Sequence, residues 1–169
     1  MVLIAKQDHE AFSHLLTRHL DSIHRYLVRL AGSTADADEL AQETFLRVWL
    51  NARTFEAGRV AVTTWMHRIA HNVCVDELRR RRRTTSLDEA PEPGVDERGV
   101  HQATERLEHL QAALGSLPEA QRSAIVLSRI QGFSNQDAAR IMNVSVHALE
   151  SLLARARRNL RLRLADLSE

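Results

Sequence analysis

At 169 residues, with 44% hydrophobic and 27% charged side chains, the chain has globular composition and room for one ordinary domain or two small ones. Six glycines, three prolines and 4% aromatic residues leave little material for a β-rich fold, so an all-α one is expected; the single cysteine, Cys74, excludes an internal disulfide. The formal charge of +1 hides an asymmetry: 13 basic and 10 acidic side chains over residues 1–83, 1 and 5 over 84–100, 9 and 7 over 101–169, a distribution that suits a polyanionic partner.

The opening apolar run, Val2 to Ala5, is too short for a signal peptide. No later stretch approaches the roughly 20 apolar residues that span a bilayer, so a soluble, cytoplasmic protein without membrane insertion is expected. Phe12, Leu15, Leu16, His19, Leu20, Ile23, Tyr26, Leu27 and Leu30 recur at helical spacing and predict a first helix ending near Gly32. Ser33 or Thr34 caps a second helix with Leu40, Ala41, Thr44, Phe45, Val48 and Trp49 inward, broken over Asn51 to Gly58. A third starts between Val60 and Thr64, packs through Trp65, Ile69 and Val73, with Trp65 buried, and ends in the run Arg79 to Arg83.

From Thr84 to Gly99 the sequence TTSLDEAPEPGVDERG loses periodicity and carries Pro91 and Pro93, which reads as a flexible acidic linker over 84–100. Beyond it, Leu107, Leu110 and Leu114 mark a helix, Pro118 takes a first-turn position, and Ala124, Leu127 and Ile130 continue another. Ser134 with Asp137 resembles a capping box and opens a short helix with Ala138 and Ile141 inward. After a turn at Met142 to Val144, Ser145 caps a longer helix. Its inward row is Leu149, Leu153, Ala156 and Leu160, and His147, Glu150, Ser151, Ala154, Arg155 and Arg158 face outward. A short helix, a tight turn and a longer helix with a polar leading face suit major-groove readout, with Arg155, Arg157, Arg158, Arg161 and Arg163 placed to neutralise phosphates. A helical hairpin with a solvated arginine-rich end satisfies the same spacing.

Four segments decide between these readings: ADADELAQETFLRVW (35–49), TWMHRIAHNVCVDELRRRRR (64–83), LPEAQRSAIVLSRIQGFSNQDAARIM (117–142) and VSVHALESLLARARRNL (144–160). In order and spacing they resemble the extracytoplasmic-function (ECF) sigma factors of the sigma-70 family. The resemblance implies two small helical domains: residues 1–83 as sigma region 2, a helical bundle for core polymerase and the minus-10 element, and residues 101–169 as region 4, a helix-turn-helix for the minus-35 element. It further implies that Asp36, Glu39, Gln42 and Glu43 meet the clamp helices of the polymerase β′ subunit and that region 4 meets the β flap. Arg68, Asn72, Arg79 and Arg80 are the minus-10 candidates; His147, Glu150, Ser151, Ala154, Arg155 and Arg158 are the minus-35 candidates. An anti-sigma factor is the implied regulator.

The recognition helix departs from the family's frequent Gly-Thr-Val-Lys-Ser-Arg stretch, carrying His147, Ala148, Leu149, Glu150, Ser151 and Leu152 in its place. Fewer phosphate contacts at the helix start are expected, and Glu150 can accept from a cytosine amine. His67, His71 and Cys74, at i, i+4 and i+7, form a zinc-compatible trio, but polar residues on a DNA-facing helix and a small apolar one explain them better, so no metal or other cofactor is expected. Nothing in the chain recommends catalysis: it has no glycine-rich phosphate loop, nucleophile elbow or HExxH. Two competing readings are a conventional operator-binding regulator and a polymerase adaptor without a DNA reader.

Overall fold

A computed structural model describes residues 1–85 and 103–166, the side chains at 85, 103–108 and 164–166 excepted. Every regular element among the described residues is helical. The acidic stretch from 86 on and the Leu107 side chain lie outside them.

A single turn, α1 (Val2–Ala5), buries Ile4; four residues are too few to show periodicity. The first long helix is α2 (His9–Ala31). The Asp8 side chain accepts from the Ala11 amide at 2.9 Å, and Gly32, at φ 84° where a side chain is strained, terminates the helix. Ile23, Tyr26, Leu27 and Leu30 are buried. Leu20, expected inward, is exposed, because the N-terminal half of the helix, where Phe12, Leu15 and Leu16 are only half-buried, is less completely covered. Ser33 caps α3 (Thr34–Leu50), whose inward face is Ala37, Leu40, Ala41, Thr44, Phe45 and Val48. After a 3₁₀ turn at Ala52–Thr54, α4 (Val62–Thr85) inserts Met66, Ala70, Val73 and Cys74 into the core. This helix runs two residues past the boundary expected from the sequence. Arginines suit the negative end of the helix dipole, and the Thr84 hydroxyl donates to the Arg81 carbonyl at 2.8 Å. Trp65 is half-buried rather than buried, edge-on to Phe55.

In the second half, α5 (Ala103–Gly115) leads to α6 (Glu119–Ile125), which Pro118 opens. Leu114 is buried, whereas Leu110, expected beside it, is exposed. The expected continuation through Ile130 is not α-helical: Val126–Ile130 widens into a π turn, closed by the Gln131 amide on the Val126 carbonyl at 2.9 Å. Two helices follow, α7 (Asn135–Met142) and α8 (Val146–Asp166).

The halves share one continuous core, with α7 packed against α4 and with α5, α6 and the π turn along α2. Much of the seam is polar and aimed at α2 carbonyls. Gln111 Nε2 donates to Val28 O at 2.8 Å, Arg122 Nη1 to Leu30 O at 2.7 Å and Gln131 Nε2 to Ser22 O at 3.3 Å. Arg122 Nη2 also reaches the carbonyls of Gly115 and Leu117. The Leu30 carbonyl lies in the last turn of α2, where helix carbonyls lack intrahelical partners. Arg122→Met keeps most of the packing and removes the donors, so it should lower the free energy of unfolding by roughly 1.5–3 kcal/mol in urea titrations, the usual worth of a hydrogen bond to a charged group.

Candidate nucleic-acid and partner interfaces

The geometry of α7 and α8 is that of a helix-turn-helix. Ser134 Oγ accepts from the Asp137 amide at 3.1 Å and donates to the Asp137 carboxylate at 2.7 Å, fixing the start of α7. Asn143 ends it in the left-handed region at φ 54°, and the Val144 amide returns to the Ala139 carbonyl at 3.0 Å. Ser145 Oγ accepts from the Ala148 amide at 3.1 Å and so starts α8. Leu149, Leu153 and Ala156 are buried and Leu160 is half-buried, so the inward row lies where the spacing put it. On the opposite row His147, Glu150, Ala154, Arg155 and Arg158 are exposed and Ser151 is half-buried. Among the described residues no ion pair engages Arg155 or Arg158. Asn159 Nδ2 donates to Gln121 Oε1 at 2.8 Å and braces the helix on α6.

On α4, Arg68, Asn72, Arg79 and Arg80 are all exposed, while Ala70, Val73 and Cys74 of the same helix are buried. Arg80 is held by Glu77 through two hydrogen bonds of 2.8 Å, and hydrogen bonds from Arg80 and Arg81 hold the Glu77 carboxyl down at about 2. Thr64, Trp65 and Arg68 of α4 line a cleft with Thr54, Glu56, Arg59 and Val60 of the preceding segment and with Arg140 of α7. Arg59 in that loop pairs with Glu56. Sequence spacing did not indicate that the loop and α7 border one cleft.

The four acidic and amide residues of α3 divide into two environments. Asp36 is held by both terminal nitrogens of Arg81, at 2.6 and 2.7 Å, while Arg81 Nε bonds Glu77 at 2.8 Å. Asp36 therefore ties α3 to α4. Glu39 and Gln42 are exposed, and Glu43 is half-buried and paired with Arg47 at 2.6 Å. Exposed Leu46 and Leu50 extend the Glu39 and Glu43 row by two turns. Their spacing from Glu39, i+7 and i+11, was the available signal.

The histidine and cysteine trio of α4 points into the core. Cys74 is fully buried, and burial pushes its thiol up to about 12. His71 Nδ1 meets the Tyr26 hydroxyl at 3.0 Å, and His67 Nδ1 meets the Thr63 carbonyl at 2.8 Å. Burial, chiefly, pushes both imidazoles down to about 4. No cluster of three metal-ligating side chains occurs among the described residues, and no described helix is long and apolar enough to cross a membrane.

Residues 15–84 match the family model of sigma-70 region 2, and residues 107–160 that of sigma-70 region 4. The chain is 37% identical over 157 residues to the ECF RNA polymerase sigma factor SigM of Mycobacterium tuberculosis, covering 90% of this chain and 76% of that protein. It is 32% identical to the ECF RNA polymerase sigma factor SigE of Mycolicibacterium smegmatis over 89% of this chain, but spans only 60% of that relative's length. Among solved structures, the sigma factor RpoE bound to the anti-sigma factor NepR from Bartonella quintana superposes with a TM-score of 0.81 at 26% identity, covering 92% of this chain and 98% of that one. CnrH in complex with the cytosolic domain of CnrY gives 0.76 at 26% identity, covering 98% and 94%. With both regions matched in order and relatives of this kind spanning most of its length, the chain belongs to the ECF RNA polymerase sigma factors, whose task is transcription initiation.

Proposed function

We propose that the chain binds core RNA polymerase through the outer row of α3 and directs it to promoters, α4 taking the minus-10 element and α8 the minus-35 element. The observation that carries this reading is the division of α8 into a buried Leu149, Leu153 and Ala156 row and an exposed polar row that begins at the helix start. A helix held in this way can lay its first turns in a major groove. The docking row is Glu39, Gln42 and Glu43 with Leu46 and Leu50 beyond them; Asp36 supports it through Arg81. The β′ clamp helices and the β flap are the proposed polymerase contacts, residues 1–83 and 101–169 the proposed domains, and the acidic stretch 84–100 their connection.

The packed arrangement is the resting form. Promoter elements named for positions 10 and 35 lie about 25 base pairs apart, or roughly 85 Å at about 3.4 Å per step. A compact chain of this length has a radius of gyration of only about 15 Å. Both readers cannot reach their elements while α7 lies on α4, so the halves separate in the holoenzyme. A sigma factor bound to an anti-sigma factor superposes on the packed form, which supports control of this chain by an anti-sigma protein that holds the halves together. Run-off transcription with purified core polymerase and genomic promoter fragments, with and without the chain, tests the reading. Promoter-specific transcripts that require both components support it, and operator binding without polymerase would favour a conventional regulator.

Charge reversal of the docking row, Glu39→Lys with Glu43→Lys, should weaken core binding about tenfold or more, because it removes complementary charge from one partner. Glu39 is exposed and Glu43 is half-buried in a surface pair with Arg47, so the loss of stability should stay at about 1 kcal/mol or below and circular dichroism should show an intact fold. Unchanged affinity for core in that well-folded variant would sink the docking assignment.

Arg155→Ala should cost roughly 1–3 kcal/mol and relax preference at one base position, since a guanidinium can bridge O6 and N7 of one guanine. Arg161→Ala, further along the exposed side of α8, should weaken all sequences alike and flatten the salt dependence. Binding to promoter variants substituted one position at a time, at two salt concentrations, separates the two roles. An equal loss on every variant would make Arg155 a backbone contact and pass base reading to Glu150 and Ser151.

A further inference from the structure

Among the described residues, the seam between the halves holds a buried histidine that the function above does not use. His67 lies on the inward side of α4 at 2% exposure, between Tyr26 of α2 and Phe133 of the segment joining the π turn to α7. The His67 and Phe133 rings are 4.7 Å apart, edge to face, and Phe133 belongs to the other half of the chain. The Thr63 carbonyl at Nδ1 can only accept, so Nδ1 carries the proton and Nε2 the lone pair. Nε2 is buried and has no hydrogen-bond partner among the described residues. A second proton would place an N–H and a full charge there with nothing to receive them.

The charged and titratable neighbours do not relieve that cost. From α2, His19 repels a charge on His67, and Tyr26 presents its ring while its hydroxyl is engaged with His71. On α4 itself the neighbours are Arg68, which is cationic, and the equally buried His71. From α7, Arg140 comes to the cleft beside Trp65 and Arg68, and Asp137 is paired with Arg140 at 3.3 Å. Cation–π attraction to Phe133 recovers part of the loss, but a ring offers no acceptor for the new N–H.

We propose that His67 is an acid-sensitive latch between the two halves: neutral, it lies buried under Phe133; protonated, it expels Phe133 and releases the seam. The proposal rests on the reading that the packed form is the resting one, and it adds a fall in pH as an intrinsic opening signal beside any protein regulator. The direction follows from linkage. In the open form His67 is uncovered and titrates near the ordinary histidine value of 6.5, whereas burial holds it at about 4 in the packed form. The packed form is therefore unpenalised above pH 6.5 and loses ground as pH falls from 6.5 towards 4. Between pH 7.5 and 5.5 the ratio of packed to open molecules should fall about tenfold. His71 contributes little to this equilibrium, since its partner Tyr26 lies in the same half and stays with it on opening.

Single-molecule energy transfer between labels in the two halves, on the full chain without polymerase or DNA, reads the ratio directly and so tests the latch apart from any promoter role. The wild type should show the tenfold rise in open molecules between pH 7.5 and 5.5, and His67→Gln should show no pH dependence over that range. Phe133→Ala should raise the open fraction at both pH values. A pH-independent wild type, or a His67→Gln variant that keeps the wild-type response, overturns the proposal. If His67→Gln fails to fold, the wild-type imidazole resonances decide. His67 titrating well below the ordinary histidine range under conditions where the halves are packed supports the latch, and titration near 6.5 refutes it.

Discussion

The burial of α2 is the constraint on which the rest of the molecule depends. Tyr26 is fully buried, with its hydroxyl on His71 and its ring against His67, so the register of α4 on α2 is set by one aromatic side chain and two histidines. The helix is covered from two directions, by α3 and α4 of its own half and by α5, α6 and the π turn of the other. Removing region 4 would uncover part of this helix, taking away apolar residues of the shared core together with the three donors directed at its carbonyls, Gln111, Arg122 and Gln131. Water can replace the donors but not the apolar cover.

The face proposed for polymerase docking depends on a different interaction. Arg81 joins Asp36 of α3 to Glu77 of α4 through three hydrogen bonds of 2.6 to 2.8 Å, and His24 of α2 bonds Asp38 of α3 at 2.8 Å. Two acids of the α3 N-terminal half are thereby spent on fixing the helix, and Glu39 and Gln42 stand clear of it. Charge count alone does not separate anchoring from docking carboxylates; the division depends on which arginine of the run 79–83 turns inward.

The sequence made the local elements legible because each carries its own signal. The α8 row of Leu149, Leu153 and Ala156, the Ser134 and Ser145 caps and the Gly32 stop all depend on residues within a few positions of one another. What escaped was non-local. Leu20 and Leu110 have helical spacing but too little covering them, and Trp65 is half-buried because a loop and α7 meet at its edge. The π turn at Val126–Ile130 had no signature in the residues, yet it aims Gln131 at Ser22 and Phe133 at His67. The seam between the halves, and with it the burial of His67, was invisible for that reason.

The chemistry of the seam also sets how firmly it holds. The seam joins a shared apolar core to a polar set: Gln111, Arg122 and Gln131 donating to backbone, Arg82 paired with the half-buried Glu119 at 3.4 Å, and the ring contact of His67 with Phe133. A net worth of about 1 kcal/mol for each hydrogen bond puts the polar part at only a few kcal/mol. Reversing a two-state equilibrium from 99:1 to 1:99 needs about 5.5 kcal/mol of differential binding, which one good protein interface can supply. Under the proposed function, a partner that binds only the open form supplies the differential binding that parts the seam. The latch proposed for His67 adds to that differential, because the imidazole is buried beneath Phe133 only while the halves are packed.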